Sequence, residues 1–574
     1  MICPPIKSFH ELLLWKPKFT CFQPSGLVPS DGFVEESGTL IRPNRTPSIV
    51  FCHDMAGGYL EYDTTDKSVP TFPTYRFVHW DLIDTFIYFS HHFITIPPVA
   101  WIDIAHKNCV KVYGTVIIER DRINPCPQFD QIFGTDSEEV GIGYPTQFAK
   151  ILNAIRLHYG FEGWLINFEN RFFDTSDRRI FQRVLHFLKC LKSLGSEVMW
   201  YDAVTQDGHL NWQNSLTEEN IAFFHTGLDG IFLNYNWDLE LLRSTQNRAR
   251  SSDESMKIFV GVDCFGRSCP GGGGFDTYKA LELILSASED RPNRPLSVAL
   301  FAPAWSFEKR LELDENVMSG DLISEAASLI DLDYQFWRTI RELIPRIRAI
   351  GNPSCSALYR PLSPWNGRLH TNFSLGLGLF KGGVFSPWSR LAEQQVLPTC
   401  RGLSNDSTYL SPGDCSIRIK PNFTDYFTSG NSLVVDISLS TDQLLENFNL
   451  ELFLFPNLSL SKNATLSVII QFSGNVEDVC VFAHVSTVPW ESVNTAEEYP
   501  VTGEQIFKHR VTKIRTPRGS LWTGLLVDIG SELNCLTDEK TVAFVRRIGL
   551  RFAKSPSTFL LGGFTLVDPQ SCLL

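Results

Sequence analysis

Eight short apolar, β-branched runs recur between residues 48 and 301, and this spacing limits the available folds more than any other feature of the chain. The runs occupy 48–52, 85–89, 110–118, 163–168, 197–201, 230–235, 257–262 and 297–301. Polar or Gly-rich residues follow each one, and several are then followed by helical periodicity, as at 147–158, 181–194 and 277–286. Strands separated by helices pair in parallel, because a parallel neighbour needs a crossover connection. Eight such units predict an α/β fold, a closed (β/α)8 TIM barrel. An open doubly wound sheet is the competing arrangement. Its dinucleotide-binding form lacks support, since no GxGxxG follows the first run.

A helical pattern at 322–347 ends this region, and Gly351-Asn352-Pro353-Ser354 is a breaker cluster. Beyond residue 368 short alternating runs dominate, at 432–439, 450–455, 465–472, 479–485, 521–529, 541–552 and 558–567. This texture predicts an antiparallel, jelly-roll-like β-sandwich. The expected organisation is an N-terminal extension (1–44), a catalytic barrel (45–350), a linker (351–367) and an all-β accessory module (368–574).

Composition narrows the partners. Lys and Arg number 51 against 64 Asp and Glu, a formal net charge of -13, and no dense basic cluster occurs. A nucleic-acid partner is therefore not expected. No apolar run approaches the ~18 residues that span a bilayer. The apolar stretch at 12–15 is too short for a signal h-region, so the chain is expected to be soluble and untargeted, with no membrane partner. Fourteen Cys are scattered without a CxxC pair, which reads as reduced thiols in the cytosol. Six N-x-S/T triplets, at Asn44, Asn372, Asn405, Asn422, Asn457 and Asn463, point the other way. No metal or cofactor is expected. His91 and His92 are adjacent and cannot both face one way on a strand, and no HExxH accompanies them. The run Cys269-Pro270-Gly271-Gly272-Gly273-Gly274 lacks the GK[ST] of a phosphate loop, and no GxSxG elbow exists.

In a barrel, active sites lie at the C-terminal ends of the strands. That rule selects His53 and Asp54 after the first run, Ser90, His91 and His92 after the second, and Glu119 after the third. The fourth ends in Asn167 and Glu169, and the fifth in Tyr201 and Asp202. Asn234, Tyr235, Asn236 and Trp237 follow the sixth, Asp263 the seventh and Trp305 the eighth. Asn167 and Glu169 are two apart, so on a strand they share a face with Leu165.

This pair constrains the chemistry. Ordinary glycosidases use two carboxylates. An amide cannot replace the carboxylate nucleophile, but it can orient another group through its donor and acceptor. A substrate with a 2-acetamido group brings its own nucleophile, the acetamide oxygen. Glu169 would then protonate the leaving oxygen while Asn167 holds the acetamide. The acid role asks for a Glu169 pKa raised toward neutrality. Trp212, Trp237 and Trp305 lie in loops at the same end, where each either floors a sugar site or is buried between barrel and helices.

The ordered motifs resemble those of the cytosolic endo-β-N-acetylglucosaminidases of glycoside hydrolase family 85. They are Cys52-His53-Asp54-Met55-Ala56-Gly57-Gly58-Tyr59, Tyr88-Phe89-Ser90-His91-His92, Gly163-Trp164-Leu165-Ile166-Asn167-Phe168-Glu169-Asn170 and Trp200-Tyr201-Asp202. Leu210-Asn211-Trp212-Gln213, Asn234-Tyr235-Asn236-Trp237, Gly261-Val262-Asp263, Gly273-Gly274-Phe275-Asp276 and Phe301-Ala302-Pro303-Ala304-Trp305 complete the series. The resemblance covers residues 45–345. It implies retaining, substrate-assisted cleavage of the bond between the two core N-acetylglucosamines of N-glycans. The substrates would be glycoproteins, glycopeptides or free oligosaccharides, and one sugar would stay on the Asn. It implies Glu169 as acid/base, Asn167 as the acetamide-orienting residue and Tyr201 as its support. Trp212, Trp237, Trp305, Asn234, Asp202 and His53 are the implied substrate contacts. Arg120 and Asp121 stand where the family often has a Trp after Glu119, Ala203 where Ser is usual and Ala304 where Gly is usual. A lectin-like barrel without turnover and a chitinase-like hydrolase are the alternatives. The chitinase DxxDxDxE run would need Asp where Asn167 stands.

Overall fold

The computed structural model describes residues 3–17, 33–35, 40–41, 46–64, 75–119, 127–134, 143–171, 178–249, 256–315, 322–351, 358–359, 362, 368–381, 384–388, 391–398, 409–411, 415–428, 430–439, 446–486, 503–534 and 543–569. Each of the eight apolar runs falls on a strand of one barrel. We number them β1 (Ile49–His53), β2 (Thr85–Tyr88), β3 (Lys111–Glu119), β4 (Gly163–Glu169), β5 (Glu197–Tyr201), β6 (Gly230–Leu233), β7 (Lys257–Asp263) and β8 (Ser297–Phe301). Each pairs in parallel with the next, and β8 closes on β1. Their residues are buried almost throughout. Burial on both faces is why they read as continuous apolar runs without alternation.

Helices Gly143–Tyr159, Arg178–Ser193 and Thr277–Asp290 match the predicted helical stretches to within four residues at each end. In Arg178–Ser193, Ile180, Val184, Phe187, Leu188 and Leu191 form the buried stripe. Gln182, Lys189 and Ser193 face solvent. This three-to-four-residue spacing buries one face against the barrel. The helix Leu322–Ala349 returns along the barrel, and its Arg341 and Arg348 pair with Asp81 and Asp84 ahead of β2.

Some residues before β1 belong to the barrel's core. Helix Phe9–Leu13 starts at Ser8, whose hydroxyl accepts from Glu11 N at 3.2 Å, while the Glu11 carboxylate accepts from Lys7 N at 2.7 Å. This reciprocal cap sets a helix that buries Phe9 and Leu12 in the barrel cluster. Ile6 bridges Ile94.

Past residue 368 two antiparallel sheets face each other. One runs Tyr409–Ser411, Cys415–Asn422, Ser432–Leu439, Thr558–Val567, Thr465–Gln471, Leu521–Val527, Arg510–Arg515. The other runs Glu446–Ser459, Phe544–Lys554, Val479–Ser486, Glu504–Phe507. Four of these strands escaped the sequence reading: Tyr409–Ser411, Cys415–Asn422, Glu504–Phe507 and Arg510–Arg515. Cys415–Asn422 carries Arg418, Lys420 and Asn422, and Arg510–Arg515 is an exposed edge rich in Arg and Lys. Charged edges blunt strand-to-strand association and weaken the apolar signal.

The sandwich is seated on the barrel's N-terminal side. Val78 and Cys109, just ahead of β2 and β3, share its core cluster with Tyr334 and Ile330 of helix Leu322–Ala349. The Arg76 guanidinium donates to Gly376 O at 3.0 Å, and Gln394 donates to Phe77 O at 2.6 Å. The opposite end of the barrel, where β-strands terminate, is thereby left to the loops.

Candidate active site

A cavity of about 260 Å³ opens at the C-terminal ends of the strands, and none of the side chains around it comes from the sandwich. Leu165, Asn167 and Glu169 of β4 all line it, as two-residue alternation on an extended strand requires. Cys52 lies on β1 with Asp54 just after it, Phe89 and His91 follow β2, and Glu119 ends β3. Tyr201 ends β5, Phe232 lies on β6 with Asn234 and Tyr235 just after it, Asp263 ends β7 with Arg267 in the loop beyond, and Phe301 ends β8. Trp212 closes the wall from the loop after β5.

The centre is the β4 pair. Asn167 Nδ2 donates to Glu169 Oε1 at 3.1 Å. The other amide atom, Asn167 Oδ1, is buried without a hydrogen-bond partner. A lone buried acceptor is costly unless something in use satisfies it. Burial raises the Glu169 pKa above the usual carboxylate range, and the charge of Glu119 adds to this. The hydrogen bond from Asn167 and the charge of His91 oppose it.

Beside the pair, Tyr201 OH donates to Asn234 Oδ1 at 2.8 Å. Asn234 Nδ2 donates in turn to Asn214 Oδ1 at 2.8 Å, which also accepts from Asn236 N at 3.0 Å. Asn214 has a φ of 59°, a left-handed conformation that Asn tolerates better than most residues. It is fixed there by Asp202, whose Oδ2 accepts from Asn214 N at 2.8 Å and Gln213 N at 3.1 Å. Asp202 Oδ1 accepts from Asn220 Nδ2 at 2.9 Å. Burial pushes the Asp202 pKa up to about 7 against these hydrogen bonds. A continuous set of contacts thus links Asp202, the loop bearing Trp212, Asn234 and Tyr201.

Of the nine residues expected here, Asn167, Glu169, Tyr201, Asn234 and Trp212 surround the cavity. The other four do not. Asp202 is buried beneath the loop it organises, as described above. His53 points away from the cavity into a box of Phe51, Tyr75, Phe86, Tyr88 and Trp101 rings, with centroids 5.1–5.9 Å away. Neither ring nitrogen has a partner, and burial pushes its pKa down to about 3. Trp237 is buried and donates from Nε1 to Gly261 O at 2.7 Å. Gly261 must lack a side chain, since a Cβ there would lie 2.8 Å from the Tyr235 ring and 2.3 Å from Leu233 O. Trp305 heads the helix Trp305–Leu313 and is half-buried outside the cavity lining. Its ring lies edge-on to the exposed Phe275 at 5.2 Å, over Gly274, where a Cβ would sit 2.9 Å from the indole.

Two ion pairs in the wall went unassigned in the sequence. His91 Nδ1 lies 3.0 and 3.1 Å from the two Glu119 oxygens. Arg267 Nε donates to Asp263 Oδ2 at 2.8 Å, with the guanidinium over the Phe265 and Phe301 rings. The strand-end rule selected His91, Glu119 and Asp263. Arg267 lies four residues past β7, where nothing local marks it. Among the described residues no cluster of His, Cys, Asp and Glu could hold a metal ion.

A closed barrel with a half-buried carboxylic acid in a polar, aromatic-lined cavity at its strand ends has the build of a barrel glycosidase. The comparisons specify which kind: the chain belongs to glycosyl hydrolase family 85, whose sequence model matches residues 59–381. The human cytosolic endo-beta-N-acetylglucosaminidase is 30% identical over 99% of this chain and 71% of its own length. The chicken protein of the same name is 34% identical over 62% of this chain. The chain spans 43% of that chicken protein. Among solved structures, the glycoside hydrolase domain of Endo-D from Streptococcus pneumoniae superposes with a TM-score of 0.63 at 18% identity, covering 99% of this chain and 83% of that one. This likeness shows that the fold is shared across both barrel and sandwich.

Proposed function

We propose that this chain is an endo-β-N-acetylglucosaminidase that hydrolyses the GlcNAc-β-1,4-GlcNAc bond of the N-glycan core, leaving one GlcNAc on the Asn or peptide. The observation that carries this reading is Asn167. One end of its amide holds Glu169, and the other offers a buried, unpartnered oxygen to the cavity. An acetamide N–H is the donor that such an acceptor fits. Accepting that hydrogen bond draws electron density toward the acetamide carbonyl oxygen and makes it a better nucleophile.

In the first step Glu169 gives its proton to the glycosidic oxygen as the C1–O bond breaks. The acetamide oxygen forms a new bond to C1 from the opposite face, giving an oxazolinium ion. The leaving sugar departs with the proton from Glu169. In the second step Glu169 takes a proton from water, whose oxygen bonds to C1 and opens the oxazolinium. Two inversions leave the anomeric configuration retained. The raised Glu169 pKa suits a group that begins as the acid. Tyr201, bonded to Asn234, and Trp212 line the same cavity, and we assign them to the acetamide and to a sugar face respectively.

Of the other carboxylates of the wall, Asp263 is committed to Arg267 and Glu119 to His91, while Asp54 Oδ1 is buried without a hydrogen-bond partner. The proposed compartment is the cytosol. The relatives carry the word cytosolic in their names, and Cys52, Cys190, Cys264, Cys269 and Cys480 are free thiols. No described helix is long and apolar enough to cross a membrane.

Mass spectrometry of a high-mannose glycopeptide, incubated with wild type and with Glu169→Gln, tests the reading. The expected result is peptide carrying a single GlcNAc with wild type and intact glycopeptide with the variant. Binding without cleavage by wild type favours a lectin-like barrel, and cleavage of chitin oligomers alone favours a chitinase.

A further inference from the structure

The His91–Glu119 pair has no part in the two steps above, yet it lies beside the group that performs both. Glu119 ends β3 and is the direct register partner of Glu169 at the end of β4. Parallel neighbours at one level lie about 4.8 Å apart and point the same way. Both side chains accordingly face the cavity. His91, arriving from β2, spans both Glu119 oxygens at 3.0 and 3.1 Å.

Stability does not account for this pair. The His91 side chain is 58% exposed and that of Glu119 37% exposed. Ion pairs so open to water contribute little to folding. The pair is placed where its charge reaches the reacting carboxyl instead.

We propose that Glu119 and His91 are positioning residues for Glu169: the Glu119 carboxylate keeps the proton on Glu169 until the glycosidic oxygen takes it, and His91 clasps Glu119 and limits that effect. The inference rests on Glu169 being the acid, as proposed above. The directions of the electrostatic effects on Glu169 agree, with Glu119 discouraging its ionisation and His91 favouring it. His91 itself is held toward its protonated form, first by the Glu119 hydrogen bond, with the charges of Asp54 and Glu169 adding.

The remaining ionisable groups around the cavity are Asp54, Tyr201, Tyr235, the Asp263–Arg267 pair and Cys52, whose thiol is pushed up by burial and stays neutral. Asp263 is matched by its arginine. Asp54 follows β1 directly; burial raises its pKa, and the charges of His91 and Arg267 oppose this. Tyr201 and Tyr235 are driven well above their ordinary range by burial and stay neutral. Glu119 is thus the carboxylate that bears most directly on Glu169.

The test is the pH dependence of kcat/KM on a soluble glycopeptide for wild type, Glu119→Gln and His91→Gln. The alkaline limb reports loss of the proton from the acid in the free enzyme. Removing the Glu119 charge is expected to move that limb down by about 0.5 pH unit, and removing the His91 charge to move it up by a similar amount. Both are kept small by solvent screening. A structural or sugar-contact role lowers the rate or raises KM at every pH and leaves the limb in place. Limbs that coincide with wild type, or that move in one direction for both variants, overturn the inference. His91 is the more exposed partner, so His91→Gln alone decides the matter where Glu119→Gln does not fold. An unmoved limb in His91→Gln then counts against the proposal. Wild type that releases no truncated peptide would instead sink the assignment of Glu169 and the reaction class.

Discussion

Asn167→Ala separates the amide's role from that of the acid. The change removes the 3.1 Å donation to Glu169 and the unpartnered buried oxygen together. A hydrogen bond to a charged group contributes about 1.5–3 kcal/mol, and one between neutral groups about 1 kcal/mol. If the acetamide N–H bond forms fully only as the oxazolinium develops, the two together stabilise the transition state by about 2.5–4 kcal/mol. That is the scale of losing one preorganised donor in other active sites. The expected loss in kcat/KM on a glycopeptide is roughly 10²–10³-fold. The decisive comparison is a preformed glycan oxazoline, which enters after the step that Asn167 assists. Its consumption by the variant should stay within about tenfold of wild type, since hydrolysis then needs Glu169 as base more than Asn167 as acceptor. Liquid chromatography with mass detection follows both substrates. A similar loss on both would mean that Asn167 acts on the second step or on the fold. An undiminished rate on the glycopeptide would remove the acetamide from the mechanism altogether.

Asp202→Ala should lower kcat/KM although Asp202 is buried away from the sugar site, because Gln213 N, Asn214 N and Asn220 Nδ2 lose their acceptor. Hydrogen exchange of residues 211–220 should rise in parallel, and a loop as protected as in wild type would refute the positioning role. Trp212→Ala should raise KM about tenfold with kcat little changed, since Trp212 is 36% exposed in the cavity wall. Trp237→Phe should instead lower the melting temperature through the lost bond to Gly261 O, with a cost of about 1–3 kcal/mol, and leave KM in place. A KM effect larger for Trp237 than for Trp212 would reverse this division. His53 adds a pH signature. Its folded pKa of about 3 lies below the unfolded value, so the unfolded chain binds the extra proton and stability falls as pH drops from about 6.5 toward 3. At pH 5 that one group costs about 2 kcal/mol. His53→Phe should remove it, narrowing the loss of melting temperature between pH 7 and 5 relative to wild type.

The barrel was legible in the sequence because its strands are buried on both faces. Parallel strands with helices outside and side chains inside show apolar runs of four to nine residues, and little else produces eight of them in succession. The β4 pair was legible for a related reason: residues two apart share a face, so Leu165, Asn167 and Glu169 had to point together. Which residue of an adjacent pair faces the cavity required the register between strands. At β1 and β5 the sequence offered His53 with Asp54 and Tyr201 with Asp202, and a strand's period of two guarantees only that the partners diverge. In the ladder Cys52 stands opposite Phe301, and Tyr201 opposite Phe232. All four line the cavity, which puts Asp54 inside with Cys52 and sends His53 and Asp202 outward. The outward residues then take opposite chemical forms. His53, among aromatic rings without a partner, is held neutral. Asp202 meets two backbone N–H groups and an amide and organises a loop. Loop residues have no such ladder, so Trp237 and Trp305 could not be separated from Trp212 by pattern alone, nor Arg267 from other exposed arginines. The register also sets Glu119 beside Glu169, a contact 50 residues apart in the chain and invisible to local spacing. That placement gives Glu169 a charged neighbour while its own strand supplies only an amide. Division of labour in this cavity therefore runs across strands as well as along them, and sequence alone shows only the second.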